Sequence, residues 1–143
     1  MKKLKRVKSL IFIFFFLKTM KRLYAIRGAI TAENTPESIS KNTIAMGSKL
    51  FEENKIKAED LVSIQFSLTK DLDTMNPCTA LRKGYQGIDI SQISLFCTQE
   101  AFIQGGLEKV IRILVFVYLE EGTQVQHIYL GGASKLRPDL KKK

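Results

Sequence analysis

The spacing of apolar positions divides the chain into segments of two periods. LYAIRGAITAE (23–33) is rich in β-formers with partial alternation and reads as a strand, with Gly28 marking a place where another group approaches the backbone. Thr35-Pro36-Glu37 is a helix start, with Thr as N-cap and Pro at the first helical position. Ile39, Thr43, Met46 and Leu50 then recur at helical spacing on one face, and the helix is predicted to end near Asn54. Ala58-Glu59-Asp60 is a short turn. LVSIQFSLT (61–69) alternates strictly, with Val62, Ile64, Phe66 and Leu68 on one side and Ser63, Gln65 and Ser67 on the other. Asn76-Pro77 opens a second, short helix through Arg82, closed by Gly84. QISLFCTQE (92–100) is a third strand, and Gly105-Gly106 punctuates the chain after it. KVIRILVFVYL (109–119) is a fourth strand, apolar on both faces, VQHIYL (125–130) is a fifth, and Gly131-Gly132 leads into the tail.

The order βαβαβββ predicts an α+β domain: a mixed β-sheet with helices on one face. Two helices cannot cover both faces of such a sheet. Apolar surface is left over, most of it on the fourth strand, and a subunit interface is the natural place to bury it.

The length of 143 residues gives one folded unit, which can bury a core without staples. The formal net charge of +9 suggests an anionic partner until its distribution is considered. Residues 1–19 hold six Lys/Arg and no acid, and Lys141, Lys142 and Lys143 hold three more. Residues 20–140 carry 14 basic and 14 acidic side chains, so the body is neutral and shows no basic stripe of the kind a nucleic-acid binder needs. Cys78 and Cys97 make neither a disulfide framework nor a metal set, and His127 is the sole histidine; reduced thiols and a cytoplasmic location fit this usage.

Residues 1–20 form a separate extension: a basic head, then LIFIFFFL, eight apolar residues where about 20 are needed to span a bilayer. A basic-then-apolar order resembles an export signal, but Lys18, Lys21 and Arg22 follow and no small-x-small cleavage site does. Three readings stand: an upstream in-frame extension before a true start at Met20, a membrane-associating segment, and a working export signal. The domain is placed at 21–140, with 141–143 a basic tail, and membrane attachment is not expected of the folded part.

Chemistry-bearing residues are few. Arg112 lies inside the most apolar strand, where a guanidinium is costly without a negative partner; Glu100 is near in sequence, and a ligand is the other candidate. Arg27 precedes Gly28, Arg82 is on the short helix, Arg137 is in the tail LRPDL, and Tyr129 and Cys97 sit on strands. Each has an ordinary reading as an ion pair, a solvated charge, a core side chain or a frayed end. No Ser/His/Asp set, metal cluster or phosphate-cradling glycine loop is evident. A surplus of strand guanidinium with one carboxylate suits a small dianion bearing a hydroxyl. It also suits a reaction that needs electrostatic complementarity and no proton shuttle.

IRGAIT (26–31), the Cys97-x-x-Glu100 pair with Gly105-Gly106 after it, Arg112, and HIYLGGASKLRPDL (127–140) together resemble the small monofunctional chorismate mutases of bacteria, collinearly over residues 23 to 140. The resemblance implies a trimer forming a pseudo-α/β barrel with active sites at subunit interfaces, chorismate as substrate, and no cofactor or metal. It implies Arg112 as the cation at the breaking ether bond and Glu100 as acceptor for the ring hydroxyl. Arg27 and Tyr129 would hold the side-chain carboxylate and ether region, with Cys97 near the ring hydroxyl as a hydrogen-bonding group. Arg82 and Arg137 would bind or steer the substrate at the mouth, from the adjacent subunit, and Leu136 would be a further substrate-binding residue. The chain departs from the family at Asn76, where an aromatic residue is usual, at Thr79, where a lysine is usual, and at Phe96, where a small polar residue is commoner; Cys78 fills the small-residue position. These departures lead to an expectation of retained chemistry with weaker or differently supported affinity. The alternative is a non-catalytic trimeric binding module on the same scaffold.

Overall fold

A computed structural model describes residues 19–140. Its five strands are β1 (Lys21–Thr31), β2 (Leu61–Leu68), β3 (Ser94–Gln99), β4 (Val110–Glu120) and β5 (Ile128–Tyr129), and its two helices are α1 (Pro36–Glu53) and α2 (Pro77–Gly84). The strands form one mixed sheet in the order β3-β2-β4-β1-β5. The central strand β4 is antiparallel to both neighbours, while the outer pairs β2–β3 and β1–β5 are parallel. The extension up to residue 18 and the tail 141–143 lie outside the described residues.

Both helices begin where the sequence punctuates them. The Thr35 hydroxyl accepts a hydrogen bond from the Ser38 amide at 3.1 Å, and the Asn76 side chain accepts from the Cys78 amide at 2.8 Å; each cap is followed by proline in the first turn. Asn76 thus has a backbone role here, where an aromatic side chain would supply none. Ile39, Thr43, Met46, Gly47, Leu50 and Phe51 form the buried face of α1. They meet Ile26, Ile30, Ile64, Phe66, Ile111, Ile113, Val115 and Val117 from the sheet and Leu81 from α2 in one core. Gly47 lets the helices close: a Cβ there would stand 2.8 Å from Leu81 Cδ1.

Helices therefore cover one face of the sheet, and the other face carries Arg112, Leu114, Phe116 and Tyr118 from β4. Two sequence expectations need correction. Val62 does not share a side with Ile64 and Phe66. The β2–β4 register shifts between Leu61 and Ser63, so Leu61 turns into the core and Val62 is left exposed. The fifth strand is two residues long instead of six, because only Ile128 and Tyr129 pair with β1. Gly28 explains how closely they pair: a Cβ there would lie 2.9 Å from both Ile113 Cγ2 and the Ile128 carbonyl oxygen. The tail does not fray. It winds through short 3-10 turns at Gly131–Leu136 and Pro138–Leu140, and Ala133 is fully buried.

Candidate active site

Strand register assembles the site. Arg112 on β4 pairs with Ser67 on β2 and with Ala29 on β1; Ser67 pairs in turn with Thr98 on β3, and Ala29 with Tyr129 on β5. Thr98, Ser67, Arg112, Ala29 and Tyr129 therefore form one rung across all five strands. Two residues along, Phe96, Gln65, Leu114 and Arg27 form a second rung on the same open face. Directly opposed side chains lie close together, so small neighbours leave space around a guanidinium. Ser67 and Ala29 are those neighbours. The two rungs line a hollow of about 280 Å³ that holds Arg27, Gln65, Ser67, Thr98, Arg112, Leu114 and Tyr129.

Arg112 is tied by one hydrogen bond, from Nε to Glu100 Oε1 at 2.7 Å. Glu100 follows β3, and its amide donates to the Leu68 carbonyl at 2.7 Å, extending the parallel ladder by one step and fixing the carboxylate beside β4. The side chains are 37% and 26% exposed, so the pair is neither solvated freely nor sealed in the core. Glu100 Oε2 is buried and has no hydrogen-bond partner. The remaining guanidinium donors of Arg112 make no hydrogen bond to any described residue. Arg112 also borders a second cavity, about 430 Å³, lined by Glu100, Lys70, Phe102, Gly105, Gly106 and Leu136. The question raised by a guanidinium in an apolar strand thus has two answers: it has an internal acid, and it has open space on its unpaired side.

The other sequence candidates divide into those that join this site and those that do not. Arg27 and Tyr129 line the hollow, and Leu136 lines the adjoining cavity. Arg137 lies one residue on, where Nε and Nη2 donate to both oxygens of Asp139 at 3.0 and 2.7 Å; that pairing raises the arginine's pKa and lowers that of Asp139. Arg82 is exposed on the helix side of the sheet and lines none of these cavities. Cys97 faces the same way: alternation along β3 puts Thr98 on the open face and turns the Cys97 thiol toward Cys78. Interaction with the neighbouring Cys78 thiol lowers the Cys97 pKa, and interaction with Cys97 together with burial raises that of Cys78; the Cys97 thiol itself approaches the Thr98 carbonyl at 3.9 Å. Ser67 and Gln65 are legible in the sequence only as the polar side of the 61–69 strand, and Thr98 only as a residue of the third strand. Their meeting with Arg112 required knowing that β4 inserts between β1 and β2.

A mixed sheet with one covered face, and a charged hollow on the other built from arginines and a single carboxylate, defines a small α+β protein equipped for an anionic ligand. The chain matches the model of the chorismate mutase type I family over residues 23–140, and it belongs to that family, whose members are isomerases. It is 39% identical over 119 residues to the chorismate mutase AroH of Bacillus subtilis (strain 168), a match covering 80% of this chain and 90% of that protein. To the chorismate mutase AroH of Thermus thermophilus it is 37% identical over 118 residues, covering 80% of this chain and 93% of that one. The solved structure of a chorismate mutase from Clostridium thermocellum superposes with a TM-score of 0.69 at 34% identity, covering 78% of this chain and 98% of the other.

Proposed function

We propose that the chain converts chorismate to prephenate by an intramolecular Claisen rearrangement in the hollow around Arg112. The observation that carries this reading is the Arg112–Glu100 pair: a guanidinium with unused donors that borders both the hollow of Arg27 and Tyr129 and the adjoining cavity, which Glu100 also lines. In the reaction the ether carbon–oxygen bond breaks as a carbon–carbon bond forms within one molecule. No proton changes hands, and electron density grows on the ether oxygen. A fixed cation there stabilises the transition state more than the substrate. Glu100 Oε2 accepts the ring hydroxyl, which supplies the hydrogen bond that oxygen lacks. Arg27 and Tyr129 hold the side-chain carboxylate end, and together these contacts select the chair-like conformer, an orientation effect. Thr98 faces the hollow where Cys97 does not, so Cys97 contributes through the strand that carries it. Arg82 and Arg137 complete the mouth from a neighbouring subunit in a homotrimer, which brings Arg82 to a site it does not reach within its own chain, while Leu136 lines the cavity beside Arg112 of its own chain. Reduced thiols fit a cytoplasmic enzyme of aromatic amino acid biosynthesis, and among the described residues no helix is long and apolar enough to cross a membrane.

The decisive measurement follows loss of chorismate absorbance with protein beginning at Met20. Arg112→Ala should lower kcat on the order of 10³-fold, the loss of a preorganised charged donor, with an unchanged circular dichroism spectrum. Turnover by the variant at the parent rate overturns the mechanism. A parent that never turns over, yet gains melting temperature with a transition-state analogue, supports the binding-module alternative instead.

A further inference from the structure

His127 lies immediately before β5, and its Nδ1 accepts a hydrogen bond from the backbone amide of Arg27 at 3.0 Å. The short β5 pairs only with Gly28 and Ala29, so the amide of Arg27 has no strand partner on that side. The imidazole supplies the missing acceptor. The same segment is held from α1, where Asn54 donates to the Gln126 carbonyl at 2.9 Å and accepts from the Gln126 amide at 2.7 Å. On its far side, the Leu130 amide donates to the Ala29 carbonyl at 2.9 Å. His127 is therefore the point at which β5, with Tyr129, is pinned beside Arg27.

We propose that His127 is a positioning residue for the site: its neutral ring fixes Arg27 and Tyr129 relative to each other, and its protonation releases them. The inference rests on the assignment of Arg27 and Tyr129 to substrate binding. An amide N–H can donate only to an unprotonated Nδ1, so the hydrogen bond requires the neutral tautomer with its proton on Nε2. Protonation turns Nδ1 into a second donor facing the first. It also adds a positive charge among the groups around the ring. Arg27 faces it from β1, and Arg137 with Asp139 from the tail; Lys49 and Glu53 of α1 line the same hollow of about 240 Å³, as does Tyr129 of β5. Burial, then the charges of Arg27 and Arg137, lower the His127 pKa below its ordinary value, so the ring is neutral at pH 7 and takes up its proton at a lower pH than a free imidazole does. His127 is the only histidine in the chain, and no other side chain type ordinarily titrates near neutral pH.

The test is the KM for chorismate from pH 7.5 to 5.0 in the full chain and two variants. In the parent, KM should rise about fivefold on acidification while kcat changes less, the cost of one lost neutral hydrogen bond. His127→Asn keeps an acceptor oxygen where Nδ1 stands and cannot titrate; its KM should stay within about twofold of the parent at pH 7.5 and remain flat. His127→Leu offers no acceptor, and its KM should be raised about fivefold at every pH. Superimposable KM profiles for the parent and His127→Asn would overturn the proposal, as would a parent-like KM for His127→Leu at pH 7.5. An NMR titration gives a readout independent of turnover: the Arg27 amide resonance should move along the curve of the His127 ring. An Arg27 amide that ignores the ring defeats the positioning role even in an active enzyme, and a coupled amide without turnover at any pH defeats the catalytic reading alone.

Discussion

A single carboxylate sets the chemistry that Arg112 can perform. Glu100 uses one oxygen to orient the guanidinium through Nε and leaves the other buried and unpaired. A buried acceptor without a donor is costly to leave unpaired. Glu100→Gln removes the charge that holds Nε and can present an amide N–H where the proposed mechanism has the ring hydroxyl donate. We expect kcat/KM for chorismate to fall at least about 10²-fold with the fold intact by circular dichroism. A parent-like kcat/KM would mean that Glu100 serves only as a counter-ion. Ionisation at the protein level follows the same residue-scale logic. The fold depresses the pKa of His127, so between its folded and unfolded values the unfolded chain binds more protons and stability falls as the pH drops below about 6.5. Asp139, lowered by its bond to Arg137, acts in a separate window below about 4. Melting temperature measured from pH 7.5 to 5.0 should therefore decline less in His127→Asn than in the parent.

The elements show where sequence was a sufficient guide. Thr35-Pro36 and Asn76-Pro77 announce helix starts by local chemistry alone, and the structure places both caps there. Strand ends depend on partners that local sequence does not name. VQHIYL has the composition of a strand, but only two of its residues find β1, because His127 satisfies the next amide with a side chain. Val62 alternates correctly and still faces outward, because a bulge is a property of the β2–β4 pair. The same limit held at the site. Arg112 and Glu100 could be coupled from one segment of sequence, whereas Ser67, Thr98 and Gln65 enter through the register of β2, β3 and β4. At this scale the contact between helices is the most exposed to mutation. Leu81 is fully buried, seated on Gly47 and in the core shared by both helices. Leu81→Ala should cost about 2–5 kcal/mol in urea unfolding, with the m-value unchanged. A loss under about 1 kcal/mol would mean that α2 is held by its caps instead.

For the whole molecule, the open face of the sheet is the feature left unfinished. Leu23, Phe96 and Tyr118 are respectively 46%, 64% and 45% exposed on that face, with Leu114 and Phe116 half-buried among them. Side chains of this size in one contiguous region exceed what scattered surface hydrophobes explain, and association between copies would cover them. Phe96, which departs from the small polar residue usual in the family, sits on the rung beside Gln65 and Leu114 and enlarges that apolar area. Sedimentation equilibrium should give three times the chain mass. The double substitution Phe96→Glu and Tyr118→Glu should shift it toward one chain mass and reduce turnover together with it. A monomeric parent with full activity would remove the neighbouring subunit from the site.

Because Arg112, Arg27, Tyr129 and the polar residues around them share rungs of one ladder, the length of each strand is constrained far more tightly than the length of the connections. Deleting one residue before Arg112 within β4 would exchange the sheet's two faces from that point, sending the guanidinium under α1 and bringing Ile111 or Ile113 to the surface. Insertions at 121–124 or 86–91 leave the rungs in phase. Natural and designed relatives should therefore accumulate gaps in those connections, and a one-residue gap inside β1, β2 or β4 should mark a lineage that has abandoned the reaction.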